Sequence, residues 1–510
     1  MVFLSARIKI VFSLICADFL LLLLVAIFPE KGMPVASADS RLVFLTWKSF
    51  SKAMLPQPKK KQGSSVALQN RKNIPIIQTI YDTSAVNSSS LPDSSTLLNG
   101  RVENPEINGK KALDNFFEAL YRLKQDSAIV RIAHYGDSQI EGDRITQFLR
   151  ANFQKRFGGS GLGFIPIDEP ASHHSYTRRQ SPNWRRHSVF KGRINNGLYG
   201  PGGTVFRFQP PLKQDGKAKY KSDSLFEAIV KEKANDEKIE SWLQLTLREK
   251  LSYDSLTVLS WRHFTPLHIK LQNNDNEQYR LIPAGQKIER VTFSAREAGH
   301  SFKLHFSSSI SPYIAGVFLD GKKGVQIDNY SLRGHSGNGL ALVDFSLLQE
   351  SLKLLNTKFI IFQYGGNIVP YDVPSFKFFE DDIVKMVERF KKACPDASIL
   401  IIGVGDMARR VGDGYESYPT VEKIRDAQRR AAQRTGVAFW DLYETMGGEN
   451  TITNWVNSPT PLAAPDYAHL SYLGQKKVSD WLFKALMQEY ELFLQQKKRE
   501  EYSIIKKPTM

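Results

Sequence analysis

The sequence predicts an α/β protein: a parallel sheet covered by helices on both faces, with an antiparallel β-sandwich inserted into it. Three observations predict it. Short apolar runs at 128–133, 359–364 and 398–404 alternate with segments of helical periodicity. Between about 160 and 330 the pattern changes to period-two alternation, as in 204–208, 243–247, 256–261 and 302–306, broken by Gly, Asn and Pro. The chain of 510 residues also exceeds one ordinary hydrophobic core, so two folded parts are expected.

The elements follow in order. Arg7 and Lys9 precede an almost unbroken apolar run from 10 to 28, interrupted by Asp18. The run is long enough to span a bilayer, and the flanking charge places the N-terminus on the cytoplasmic side. A cleaved signal peptide is the competing reading, with Ala36-Ser37-Ala38 as its cleavage site. That site lies far beyond the apolar run, which favours an uncleaved anchor. Residues 1–39 are thus an expected membrane anchor or signal segment, and either exports the rest.

Residues 40–110 read as a flexible linker, with Pro56, Pro58, Lys59-Lys60-Lys61 and a Ser/Thr-rich stretch at 82–96. The first α/β part is expected at 111–160. Leu113, Phe116, Phe117, Leu120 and Leu123 recur at helical spacing, and the run at 128–133 leads into Gly136-Asp137-Ser138. Ile145, Phe148, Leu149 and Phe153 then mark a helix over 141–156. The β-rich insert is expected at 161–328 and the second α/β part at 329–497. There the run 359–364 ends at Gly365-Gly366-Asn367. Helices are expected at 376–393, 420–435 and 471–497, the last capped by Ser471, and strands at 398–404 and 437–441. Residues 498–510 form a basic tail.

Composition bounds the partners. The 69 Lys and Arg against 52 Asp and Glu give a net charge of +17, which suits an anionic membrane, an acidic polymer or nucleic acid. The basic residues are dispersed, with no zinc-finger spacing and no aromatic–basic RNA-binding signature, so no nucleic-acid partner is expected. The two cysteines, Cys16 and Cys394, lie in different parts of the chain, so the fold is expected to stand without a disulfide. Neither cysteine has metal-ligand neighbours, and neither a metal nor a cofactor is expected.

Four short segments carry acyl-transfer chemistry: Gly136-Asp137-Ser138, Gly334-His335-Ser336-Gly337, Gly365-Gly366-Asn367 and Asp466-Tyr467-Ala468-His469. A serine hydroxyl is a weak nucleophile until a base takes its proton. Ser138, at a strand-to-helix turn, is the candidate nucleophile. His469 is the candidate base, with Asp466 to orient the imidazole and stabilise its cation. The tetrahedral intermediate needs donors aimed at its oxyanion, and the backbone N–H groups of Ser138 and Gly337 with the Asn367 amide supply them. Gly334 is an alternative to Gly337. Arg333 and His335 flank that glycine as candidate substrate contacts or as loop residues. His173-His174 reads as loop. Trp184, Tyr199 and Trp261 are candidates for stacking on sugars or for core packing.

These four segments resemble, in order, the four sequence blocks of the SGNH (GDSL-type) hydrolase family, over about 112–160 and 330–490. The layout is similar to the exported peptidoglycan and carbohydrate O-acetylesterases of that family, which carry a β-sandwich after the first block. Two positions depart from the pattern: Gln139 stands where that subgroup often has histidine, and Ile368 where many members have aspartate. The resemblance implies a three-layer hydrolase domain and a serine esterase that acts without metal, often on acetyl groups of carbohydrate. It also implies a bacterial cell-envelope setting, anchored in the inner membrane with the body in the periplasm, or free there if the leader is cleaved. A carbohydrate O-acetyltransferase using the same residues, and a non-catalytic glycan-binding envelope protein, are the alternatives.

Overall fold

The computed structural model describes residues 100–505, apart from 127, 210–237, 249–250 and 274–275, together with the pairs 33–34 and 41–42. The expected anchor or signal segment, including the apolar run at 10–28, and the linker up to residue 99 otherwise lie outside the described residues. Among the described residues no helix is long and apolar enough to cross a membrane.

Five strands form the parallel sheet, in the spatial order Gly324–Ser331, Ile129–Gly136, Thr357–Gln363, Ser398–Ile402 and Ala438–Trp440. Val102–Glu103 closes the far edge antiparallel to Ala438–Trp440. The central strands read as continuous apolar runs because both of their faces are covered. Ile132, Phe359, Ile361 and Leu400 face one core with Phe116, Leu149 and Leu482, from the helices Asp114–Arg122, Arg144–Phe157 and Tyr472–Ile505. Tyr135, Ile360, Phe362 and Ile401 face the other with Leu348, Phe390 and Ala427, from Phe345–Leu354, Lys377–Ala393 and Val421–Thr435.

The β-rich stretch folds as two antiparallel sheets. Leu243, Leu245, Leu304 and Phe306 of one pack against Leu256, Val258, Val317 and Leu319 of the other. Buried Arg131 joins this sandwich to the parallel sheet. Its guanidinium pairs with Asp320 at 2.6 Å and Asp328 at 2.7 Å, and donates to the Leu355 carbonyl. Removing one member would strand a buried charge, a loss of about 3–5 kcal/mol.

Three expected boundaries are corrected. The insert does not run to 328, because Gly324–Ser331 is an edge strand of the parallel sheet. The linker does not run to 110: Gly100 accepts from the Trp440 indole, Arg101 pairs with Glu489, and Val102 extends the sheet. The tail does not begin at 498, because the last helix continues to Ile505.

Candidate active site

The strand Ile129–Gly136 delivers Ser138 to the C-terminal edge of the parallel sheet, where such sheets bind ligands. A side chain at Gly136 would lie 2.8 Å from the Gln363 carbonyl and 2.9 Å from Ile140, so only glycine fits where the chain leaves the sheet. Arg144 donates to the Ser138 carbonyl at 2.5 Å, which ties the turn to the following helix.

His469 reaches this turn from the loop before the last helix. Its Nε2 lies 2.8 Å from Ser138 Oγ, and its Nδ1 lies 2.8 Å from Asp466 Oδ2. An ionised carboxylate only accepts, so Nδ1 carries the proton and Nε2 presents its lone pair to the Ser138 hydroxyl. Asp466 Oδ1 also accepts from the backbone N–H of Ala468 and His469, each at 3.0 Å. Partial burial works against its charge, but these bonds and the imidazole outweigh it and hold the carboxyl below its usual value. The Asp466 side chain is 52% exposed, so solvent attenuates its pull on the imidazole.

The other donors converge on a different set of acceptors. The Asn367 amide donates to Asp137 Oδ2 and to the His335 carbonyl, both at 3.1 Å. Gly337 has φ of 96°, and its N–H points to His335 Nδ1 at 3.3 Å, while Gly339 N–H points to Nε2 of the same ring at 3.1 Å. Burial, with Arg193 nearby, pushes the His335 imidazole down to about 4, so it is neutral. A neutral imidazole accepts at one nitrogen only. The tautomer that accepts Gly339 N–H therefore frees Gly337 N–H. A Cβ at Gly337 would lie 3.1 Å from Tyr364 and 3.2 Å from Met386, whereas Gly334 abuts Phe190.

Sequence reasoning missed three contributors. Asp137 is buried, accepting from Gln139 N–H at 2.9 Å and from Asn367. Burial pushes its carboxyl up to about 6, against the pull of Gln139 N–H, His469 and Asn367. Gln139 donates to the Ala468 carbonyl at 2.7 Å and so ties the nucleophile turn to the histidine loop. His335, taken as a flanking loop residue, is buried and organises the glycine loop. The remaining candidates fall elsewhere. Arg333 is paired with buried Glu141 at 2.5 Å. His173 is buried and paired with Glu169 at 2.7 Å, a carboxylate partner the sequence reading did not find. Trp184, Tyr199 and Trp261 are all buried and pack in the cores rather than facing a ligand. Ile368 is likewise buried. Among the described residues no group of three or more His, Cys, Asp or Glu side chains converges on a metal-sized site.

A three-layer α/β fold with a serine, a histidine and a carboxylate in hydrogen-bonded series at the sheet edge defines a serine ester hydrolase. Residues 309–477 match the GDSL-like Lipase/Acylhydrolase family, which supports an SGNH (GDSL-type) hydrolase domain. The matched segment holds Gly337, Asn367, Asp466 and His469, while Ser138 lies upstream, on the other side of the insert. A solved peptidoglycan O-acetylesterase superposes with a TM-score of 0.59 over 76% of this chain and 99% of its own, at 17% identity, which shows a shared fold. An acetyl xylan esterase (TM-score 0.25, 15% identity, 32% of this chain and 81% of that one) is more distant. So is a family two carbohydrate esterase from Cellvibrio japonicus (TM-score 0.24, 8% identity, 62% of this chain and 99% of that one). No curated protein matches this sequence.

Proposed function

We propose that this acyl-ester hydrolase removes O-acetyl groups from cell-envelope carbohydrate such as peptidoglycan, working outside the cytoplasm from an N-terminal membrane anchor. The observation that carries the mechanism is the continuous series Ser138 Oγ, His469 Nε2, His469 Nδ1 and Asp466 Oδ2, with both links at 2.8 Å. Ser138 Oγ attacks the acetyl carbonyl carbon as His469 Nε2 takes its proton. The oxyanion is held by the N–H groups of Ser138 and Gly337 and by the Asn367 amide. His469 then passes the proton to the departing sugar oxygen, leaving acetyl-serine. Water, deprotonated by the same imidazole, attacks that ester, and the imidazolium returns the proton to Ser138 Oγ as acetate leaves.

The substrate class is supported by the shared fold with a peptidoglycan O-acetylesterase over nearly the whole of that chain. Export is supported by the apolar run at 10–28 behind Arg7 and Lys9. The test is acetate release by the full-length protein from an aryl acetate and from O-acetylated peptidoglycan, beside Ser138→Ala. Release from both is expected, falling by several orders of magnitude in the variant. Release from the aryl ester alone would overturn the substrate, and release that survives Ser138→Ala would overturn the mechanism.

A further inference from the structure

The loop that carries the histidine is clamped by a hairpin that the triad itself does not use. Its strands, Ala408–Val411 and Gly414–Ser417, pair antiparallel with Arg410 opposite Tyr415. The Tyr415 ring lies flat on Tyr467, with centroids 3.6 Å apart and planes within 6°. Tyr467 is the residue after Asp466 and two before His469. It holds a left-handed backbone with φ of 55°, which a tyrosine rarely adopts. The base of the hairpin is fixed on both sides. Ala408 N–H donates to the Tyr467 carbonyl at 2.9 Å, and Ser417 Oγ donates to buried Asp406 at 2.6 Å.

Tyr467 covers one face of the Tyr415 ring, yet Tyr415 remains 38% exposed. Directly opposed residues of an antiparallel pair project from the same face of the hairpin. Arg410 therefore stands beside Tyr415; its Nε donates to the Gly412 carbonyl and its guanidinium lies 4.0 Å from exposed Asp413, yet its side chain is 69% exposed. A flat, immobilised aromatic face next to a solvent-exposed guanidinium suits a ring with an apolar C–H face and an oxygen-rich rim. That is the chemistry of a pyranose, and a carboxylate on it would add an ion pair with Arg410. The core aromatics of the insert are buried, whereas Tyr415 lies against the histidine loop and open to water.

We propose that Tyr415, stacked on Tyr467, is a sugar-binding platform at the mouth of the active site, with Arg410 as its polar partner, selecting a glycan over a simple ester. The inference rests on the carbohydrate reading above. A purely structural clamp predicts something different: loosening the histidine loop would slow every ester alike.

The experiment compares wild type, Tyr415→Ala and Tyr415→Trp, as full-length protein, by kcat/KM on O-acetylated peptidoglycan fragments and on an aryl acetate. The expected result is a glycan-to-aryl ratio about tenfold lower in Tyr415→Ala, restored by Tyr415→Trp. An unchanged ratio overturns the platform, even where both activities fall. Affinity electrophoresis through gels containing de-acetylated peptidoglycan fragments gives a second measurement that needs no turnover. Wild type should be retarded, and Tyr415→Ala less so; equal migration overturns the proposal. Wild type that is retarded but releases no acetate from the glycan would leave the platform standing and remove the O-acetylesterase reading instead.

Discussion

The two halves of the site differ in what their hydrogen bonds are committed to. On the nucleophile side the side chains of Ser138 and His469 are bonded in the series that the proposed reaction uses: serine to imidazole, and imidazole to carboxylate. On the oxyanion side the Asn367 amide is occupied by the protein itself, held by Asp137 and the His335 carbonyl, while Gly337 N–H is freed when the His335 ring accepts from Gly339. The difference teaches where selectivity for the transition state arises. A neutral ester carbonyl cannot compete with a carboxylate or outdo a backbone carbonyl as an acceptor, whereas an oxyanion can. Donors that must leave an internal partner respond to the charge that develops, and that is the interaction that lowers a barrier.

The nucleophile half can be broken by one oxygen. Asp466→Asn keeps an acceptor for the turn but puts an amide N–H where the imidazole needs a carboxylate. The resulting wrong tautomer should cost roughly a thousand- to ten-thousand-fold in kcat on an aryl acetate, with the melting temperature nearly unchanged. A loss under tenfold would mean that solvent, which already reaches this exposed carboxylate, orients the histidine equally well.

The oxyanion half tests the contrast directly. Asn367→Ala should lower kcat about a hundred- to a thousand-fold and leave KM close to wild type, because the amide is drawn from its internal partners only in the transition state. A rise in KM with kcat unchanged would show instead that the amide binds the ground state, and the two halves would then not differ in this way.

The parts of the molecule that were readable from sequence are those with local signatures. Ser138 sits where an apolar run meets helical periodicity, and Asp466 and His469 are three residues apart, so the carboxylate and its imidazole needed no long-range information. The edge strand Gly324–Ser331 hid because Gln326, Asp328 and Asn329 are buried but polar, and no apolar run marks it. Val102–Glu103 is too short to leave any periodicity. The hairpin over the histidine loop is written in Arg409, Arg410, Gly412 and Asp413, which carry no alternating apolar pattern. The network of Asp137, His335 and Asn367 joins three blocks far apart in the chain, and each bond exists only after the sheet has formed. A histidine beside a glycine carries no signal that its ring will accept from that glycine's own loop.

Asp137 sharpens the comparison at the smallest scale, because it belongs to both halves: it lies in the nucleophile turn and holds the oxyanion amide. Its carboxyl, raised to about 6 by burial, binds its proton more tightly in the folded state than in the unfolded chain. The sign follows. The folded state is favoured at low pH by this group, and stability is lost as pH rises through the window from about 4 to about 6. At neutral pH the charged carboxylate is therefore a destabilising element, by about 2–3 kcal/mol, retained although an amide would avoid it. Asp137→Asn should raise the melting temperature relative to wild type by a few degrees at pH 7 and by little at pH 4. An asparagine cannot accept on both sides, so the Asn367 amide should turn and kcat should fall. A melting-temperature difference that does not widen between pH 4 and pH 7 would remove the burial argument. A stabilised variant with full kcat would show that the oxyanion donor does not depend on its internal partner.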